Sequence, residues 1–198
     1  MIRPMQPKDA GWSAERHAKS MPNSVFAVFG SGFLTRVYRE LARSPNSVAF
    51  VHERDGNPGG VIAAVTDRRA FLRGLLAHSG PALAWAALKG WVTHRACRKL
   101  LMQTPLYLRR VPDAAAAELL FIAVAPEFRR AGVARELIEQ ALDAFRARQI
   151  TRVVVTIETE NTTIANILEG FGFKRIDRFM FADKWNDLLS MDLAGVKA

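Results

Sequence analysis

Residues 117–146 read AELLFIAVAPEFRRAGVARELIEQALDAFR, and this stretch decides the fold. Ala117–Ala125 is a nearly unbroken apolar run with one carboxylate, Glu118, near its start. It lacks the alternation of a half-solvated strand, so it is expected to be a central strand buried on both faces. A basic loop follows, Pro126-Glu127-Phe128-Arg129-Arg130-Ala131-Gly132. Beyond it, Val133, Leu137, Ile138, Ala141, Leu142 and Phe145 recur at helical spacing. A loop that feeds a helix start exposes N–H groups that no helical carbonyl satisfies, and the helix dipole adds positive charge there. Gly132 lets a ligand approach the backbone, Ala134 keeps the next turn small, and Arg129 and Arg130 add fixed charge. Together they make an anion site suited to a pyrophosphate.

Working outward, Arg152–Ile157 reads as a second buried strand and residues from Thr162 to Gly170 as a helix. Lys174–Phe181 and Leu188–Leu193 are expected to be the last two strands. On the N-terminal side, Ile2–Met5 is a short strand, with helices from Lys8 to about Lys19 and from about Gly30 to Arg43. Ser47–Glu53 and Val61–Val65 are expected to form a hairpin around a turn spanning Asp55 to Gly60.

Charge is unevenly placed. The chain has 28 Lys and Arg against 19 Asp and Glu, a formal charge of +9. All of that excess lies between Arg68 and Pro112, where Arg68, Arg69, Arg73, Lys89, Arg95, Arg98, Lys99, Arg109 and Arg110 occur without a single Asp or Glu. The segment reads as two helices, Arg69–Leu76 and Pro81–Leu101, broken at Ser79-Gly80-Pro81. Such a pair would be amphipathic and cationic, lying on a membrane surface or packing beside an active site. Trp85 and Trp91 read as core residues rather than lipid anchors, and the apolar stretch 74–101 could also be a homodimer surface.

The 198 residues, 49% of them hydrophobic, suffice for one domain spanning residues 1–198 with a real core, which argues against disorder. No stretch free of charge reaches the ~20 apolar residues of a membrane span. The first residues include Arg3, Lys8, Asp9, Glu15, Arg16 and Lys19 without an apolar region, so no secretory leader is expected. The lone Cys97 excludes an intramolecular disulfide and fits a buried thiol in a reducing cytoplasm. His17, His52, His78 and His94 are dispersed without metal-binding spacing, so no metal site is expected. Nucleic acid is disfavoured as a partner, because the basic segment is apolar between its charges.

Arg129-Arg130-Ala131-Gly132-Val133-Ala134 resembles the cofactor motif Gln/Arg-x-x-Gly-x-Gly/Ala of the GNAT superfamily of N-acetyltransferases. The stretch from Asn161 to Phe173 resembles that family's second signature, an Asn after the next strand followed by a helix and Gly-Phe, here Gly170-Phe171. Close resemblance covers Glu118 to about Ile176, and the Arg68–Pro112 segment lies outside the common core. The resemblance implies an α/β fold: a mixed, mostly antiparallel sheet splayed between strands 4 and 5, flanked by helices, with residues 68–112 as a basic helical insert. Acyl-CoA, expected as acetyl-CoA, would lie in the splay as acyl donor. Backbone groups of Ile122, Ala123 and Val124 would bond its pantetheine arm. The amides of Arg130, Ala131, Gly132, Val133 and Ala134, beside Arg129, would hold the pyrophosphate, and Asn161 would contact the donor.

Acyl transfer from a thioester needs an amine that loses its proton and donors for the developing oxyanion. The resemblance implies the Val124 N–H as oxyanion donor and Glu118 as base, at the glutamate position of histone-acetylating members. The tyrosine that many members use as thiolate acid is replaced by Leu168, which cannot donate a proton; Tyr107, on a loop before the fourth strand, is a substitute. The expected function is acetyl transfer to a primary amine of a small molecule, with an anionic or amino-sugar acceptor steered by the basic insert. The alternatives are a peptide or protein N-acetyltransferase and a non-catalytic acyl-CoA-binding module associated with a membrane or polyanion.

Overall fold

The computed structural model describes residues 1–22, 24, 26–93, 95–110 and 116–194. Seven strands form one sheet in the order β1-β2-β3-β4-β5-β7-β6. They are β1 (Ile2–Pro4), β2 (Ser47–Arg54), β3 (Asn57–Val65), β4 (Ala116–Val124), β5 (Arg152–Glu158), β6 (Lys174–Phe181) and β7 (Lys184–Asp192). Every pairing is antiparallel except β4 with β5. The helices are α1 (Ala10–Ser20), α2 (Ser31–Leu41), α3 (Arg68–Thr93), α4 (Arg95–Arg110), α5 (Val133–Ala147) and α6 (Thr162–Gly170). This is the expected architecture, with α3 and α4 as the helical insert between β3 and β4.

The sheet is covered on both faces, which explains the unbroken apolar run of its centre. Along β3, Ile62 and Ala64 turn to one face, where they join Val133, Leu137, Ile138 and Phe145 of α5. Val61, Ala63 and Val65 turn to the other, where they join Leu34, Val37 and Leu41 of α2 and Phe71 and Leu75 of α3. The six apolar positions read from the periodicity of α5 are all buried.

Four expectations are corrected. The β2–β3 turn is two residues, Asp55 and Gly56, both at positive φ, so β3 begins at Asn57 rather than after Gly60. A D-G pair of this conformation matches the twist of a hairpin and needs no longer loop. The β6–β7 turn is equally tight: Ala182 and Asp183 take positive φ without a glycine to announce them, and β7 starts at Lys184. The helix break placed at Ser79-Gly80-Pro81 does not occur, since α3 runs through Pro81 to Thr93. Proline removes one helical hydrogen bond, but Phe71, Leu75 and Leu83 are buried on either side of it and hold the helix to the domain. Finally, Trp85 and Trp91, read as core, are 67% and 43% exposed. Cys97 is buried as expected, its thiol donating to the Val28 carbonyl.

Candidate active site

The parallel pairing of β4 with β5 runs only from Ala116↔Arg152 to Leu119↔Val155. Both strands continue beyond that point, β4 to Val124 and β5 to Glu158. Between them lies a gap lined by Leu119, Leu120 and Ile122 on one side and by Val155, Thr156 and Ile157 on the other. Leu120 is where the divergence begins. Ala63 pairs with Phe121 and Ala64 with Leu119, so Leu120 is an extra residue, a bulge that re-aims the strand.

The bulge also decides which backbone groups face the gap. The Ala125 N–H donates to the Gly59 carbonyl at 2.8 Å. Antiparallel ladders alternate, so Phe121, Ala123 and Ala125 direct their amides and carbonyls to β3, while Ile122 and Val124 direct theirs into the gap. Ile122 and Val124 therefore present their backbone groups to the gap. Ala123 is a correction: it is paired with Val61, and its backbone groups are turned to β3 rather than to a ligand.

At the mouth of the gap, the loop before α5 has the geometry of an anion cradle. Gly132, the N-cap of α5, sits at φ 81°, and Arg130 at φ 62°. A left-handed Arg costs roughly 1 kcal/mol, and such strain collects at functional sites. No side chain caps α5, so the amides of Val133, Ala134 and Arg135 carry the unsatisfied donors of a helix start. Arg129, Arg130 and Ala131 are exposed. Asn161 both lines the gap and caps α6, its Oδ1 accepting from the Ile164 N–H at 3.3 Å. Capping uses only the oxygen, so its amide group keeps two donors facing other partners. Leu168 is buried at the gap wall, within the core.

A second cavity of about 240 Å³ adjoins the gap and shares Met21, Leu119, Leu120, Thr156 and Glu158 with it. Glu118 lies in this chamber, 5% exposed, one residue before the last β4–β5 pair, Leu119↔Val155. Its Oε2 accepts from Arg68 Nη1 at 3.1 Å and its Oε1 from the Tyr107 hydroxyl at 3.0 Å. Tyr107 is not on a loop: it stands in α4, past Pro105, within 3.2 Å of Thr156 Oγ1. Burial, and then the negative charge of Glu118, push the Tyr107 phenol well above its ordinary value. It stays a neutral hydrogen-bond donor, and it is too weak an acid to be a good proton source for a thiolate.

Sequence reasoning missed Arg68, Thr156 and His17 as members of this chamber. Arg68 is separated from Glu118 by 50 residues, and its only mark in the sequence is that it opens the acid-free segment. His17 stacks on Phe121 and hydrogen-bonds Tyr38 through Nδ1 (3.0 Å) and Ser24 through Nε2 (2.7 Å). Burial holds its pKa down at about 4. A depressed histidine contributes stability above its unfolded value near 6.5, and loses it as pH falls toward 4. The loss is on the order of 3 kcal/mol. The stability difference between wild type and His17→Gln, measured by urea unfolding, is expected to shrink from pH 7 to pH 4.5. A difference that ignores pH would contradict the assignment.

The comparisons agree with this geometry. The family model "Acetyltransferase (GNAT) family" matches residues 18–173. A curated relative, mycothiol acetyltransferase of Beutenbergia cavernae, is 39% identical over 64 residues, 32% of this chain and 22% of that protein. The match thus spans about a fifth of the relative's length. The crystal structure of SsHAT superposes with a TM-score of 0.71 at 21% identity over 98% of both chains. The yncA protein of Salmonella typhimurium, described as a putative acetyltransferase with its cofactor acetyl-CoA, gives 0.60 at 14% identity, over 100% of this chain and 96% of that one.

Proposed function

The chain belongs to the GNAT acetyltransferase family, and on that premise we propose that it moves an acetyl group from acetyl-CoA to a primary amine of a small molecule with a largely apolar body. The observation that carries this reading is that the β4–β5 gap opens onto Glu118 inside a largely apolar chamber. In this reading, backbone groups of Ile122 and Val124 hold the donor's arm, and the amides of Arg130, Ala131, Gly132, Val133 and Ala134 hold its pyrophosphate with help from Arg129. Asn161 contacts the donor from α6. The amine attacks the thioester carbon, the Ile122 N–H supports the oxyanion in place of the expected Val124 N–H, which lies six strand residues, about 20 Å, from Glu118, and the C–S bond breaks as the amide bond forms. The amine's proton passes to Glu118 and returns to the departing sulfur through water, so one carboxylate closes both proton transfers without a tyrosine at 168.

The chamber wall supports the acceptor class. Met21, Phe26, Phe71, Leu72 and Phe181 make most of it apolar. Its cations are engaged: Arg68 on Glu118, and Lys184 on Glu158 at 2.6 Å. An amine with an apolar body suits these walls better than the anionic acceptor expected from charge alone. A cytoplasmic setting, where Cys97 stays a thiol, belongs to the same proposal. The test is thiol release from acetyl-CoA with a panel of arylalkyl amines, amino sugars, phosphorylated amines and peptides. Turnover led by the arylalkyl amines supports the reading; turnover led by phosphorylated amines or peptides moves the acceptor class, and none with any amine overturns catalysis.

Tyr107 is a positioning residue in this scheme. Tyr107→Phe is expected to lower kcat about tenfold with the KM for acetyl-CoA unchanged. Placed on a Glu118→Gln background, the same change is expected to cost nothing further, because its effect acts through the carboxylate. Additive losses would mark a purely structural role.

A further inference from the structure

We propose that the C-terminal half of α3 docks on the surface of an anionic lipid bilayer. Trp85, Leu88, Trp91 and Val92 are 67%, 56%, 43% and 67% exposed. Their spacing puts them on one face of the helix, while Phe71, Leu75 and Leu83 turn to the core. Four large apolar side chains projecting together from one two-turn stretch are not the scatter that ordinary surfaces show. Cations frame them: Lys89 and Arg95 are exposed, and Arg98 donates to a neutral acceptor, the Trp91 carbonyl. The whole segment from Arg68 to Pro112 contains no acid. Tryptophan beside lysine and arginine is the chemistry of a helix lying in the plane of an interface, its rings at headgroup depth and its charges on anionic headgroups.

Charge selects this occupant over the others. A second copy of the chain meeting the patch symmetrically would set one acid-free cationic segment against another. A nucleic acid would satisfy the cations and leave the apolar side chains unused. No helix among the described residues is long and apolar enough to cross a membrane, so the contact is peripheral. The same two helices supply Phe71, Leu72 and Tyr107 to the chamber, so the docking face and the chamber wall belong to one insert.

The experiment is co-sedimentation of the purified protein with vesicles of phosphatidylcholine alone, and of phosphatidylcholine with phosphatidylglycerol in equal parts. Binding to the anionic vesicles only, weakened by salt and accompanied by a blue shift of tryptophan emission, is expected. Trp85→Ser with Trp91→Ser removes most of the emission shift, and Lys89→Glu with Arg95→Glu weakens binding by more than about tenfold. Both pairs alter exposed side chains, and unchanged circular dichroism verifies the fold. No sedimentation, equal binding to neutral vesicles, or anionic binding untouched by both pairs overturns the proposal. So does a patch whose variants change only self-association or affinity for duplex DNA.

Discussion

Glu118→Gln is expected to lower kcat by about two to three orders of magnitude while leaving the Kd for acetyl-CoA within about twofold of wild type. The amide has nearly the shape of the carboxylate, but its single oxygen can accept from Tyr107 or from Arg68, which bond different oxygens of the carboxylate. It cannot take a proton from an attacking amine. Position strengthens the expectation: Glu118 is the last polar side chain before β4 and β5 part, and it lies on the chamber side, away from the loop at the mouth of the gap. The two sites should therefore separate cleanly in kinetics. The substitution also removes the Glu118 charge from beside the Arg68 guanidinium in a largely buried place, which costs stability. Thermal unfolding must accompany the assay, and activity is to be measured well below the variant's midpoint. A kcat within a few-fold of wild type would show that the proton leaves by another route.

The second large effect is expected at the anion cradle. Gly132→Glu should weaken acetyl-CoA binding about a hundredfold, by setting a carboxylate among donors that would hold a pyrophosphate. Part of the change is backbone strain, because φ is 81° at this position and a side chain there costs roughly 1–2 kcal/mol. Gly132→Ala separates the two contributions. It carries the strain without the charge, and its added Cβ meets nothing closer than Glu136 Oε1 at 3.9 Å. Alanine should therefore lose stability but bind acetyl-CoA within about tenfold of wild type. Equal losses of affinity in both variants would place the effect in the fold of the loop rather than in anion recognition.

Much of the strand–loop–helix unit proposed to hold the donor was legible in the residues. An apolar run, a basic loop with a glycine and an amphipathic helix are local patterns, and α5 buries all the positions its periodicity named. The chamber proposed for the acceptor was not legible, because it is assembled across long separations. Arg68, Tyr107 and Thr156 meet Glu118 only when α3, α4 and β5 are in place. Two readings failed in the same way: a break at Ser79-Gly80-Pro81 and a loop at Tyr107, yet Pro81 and Tyr107 each lie within a helix, the second of which also contains Pro105. A proline's local cost is of the size that burial of a few large side chains offsets. The Leu120 bulge shows a finer limit. One extra residue changes which amides face the gap, and nothing in LLFIAV announces it. The exposed tryptophans of α3 were misread because composition ranks a residue's taste for burial and says nothing of what remains to cover it.

The most direct measurement is an amide chemical-shift titration of isotopically labelled wild-type protein with acetyl-CoA. The account predicts saturable shifts, at micromolar concentrations, of the Ile122, Val124 and Asn161 amides and of those from Arg130 to Ala134, with the amide of Ala123 moving least along that part of β4. No saturable shift, or shifts confined to α3 and α4, would contradict it.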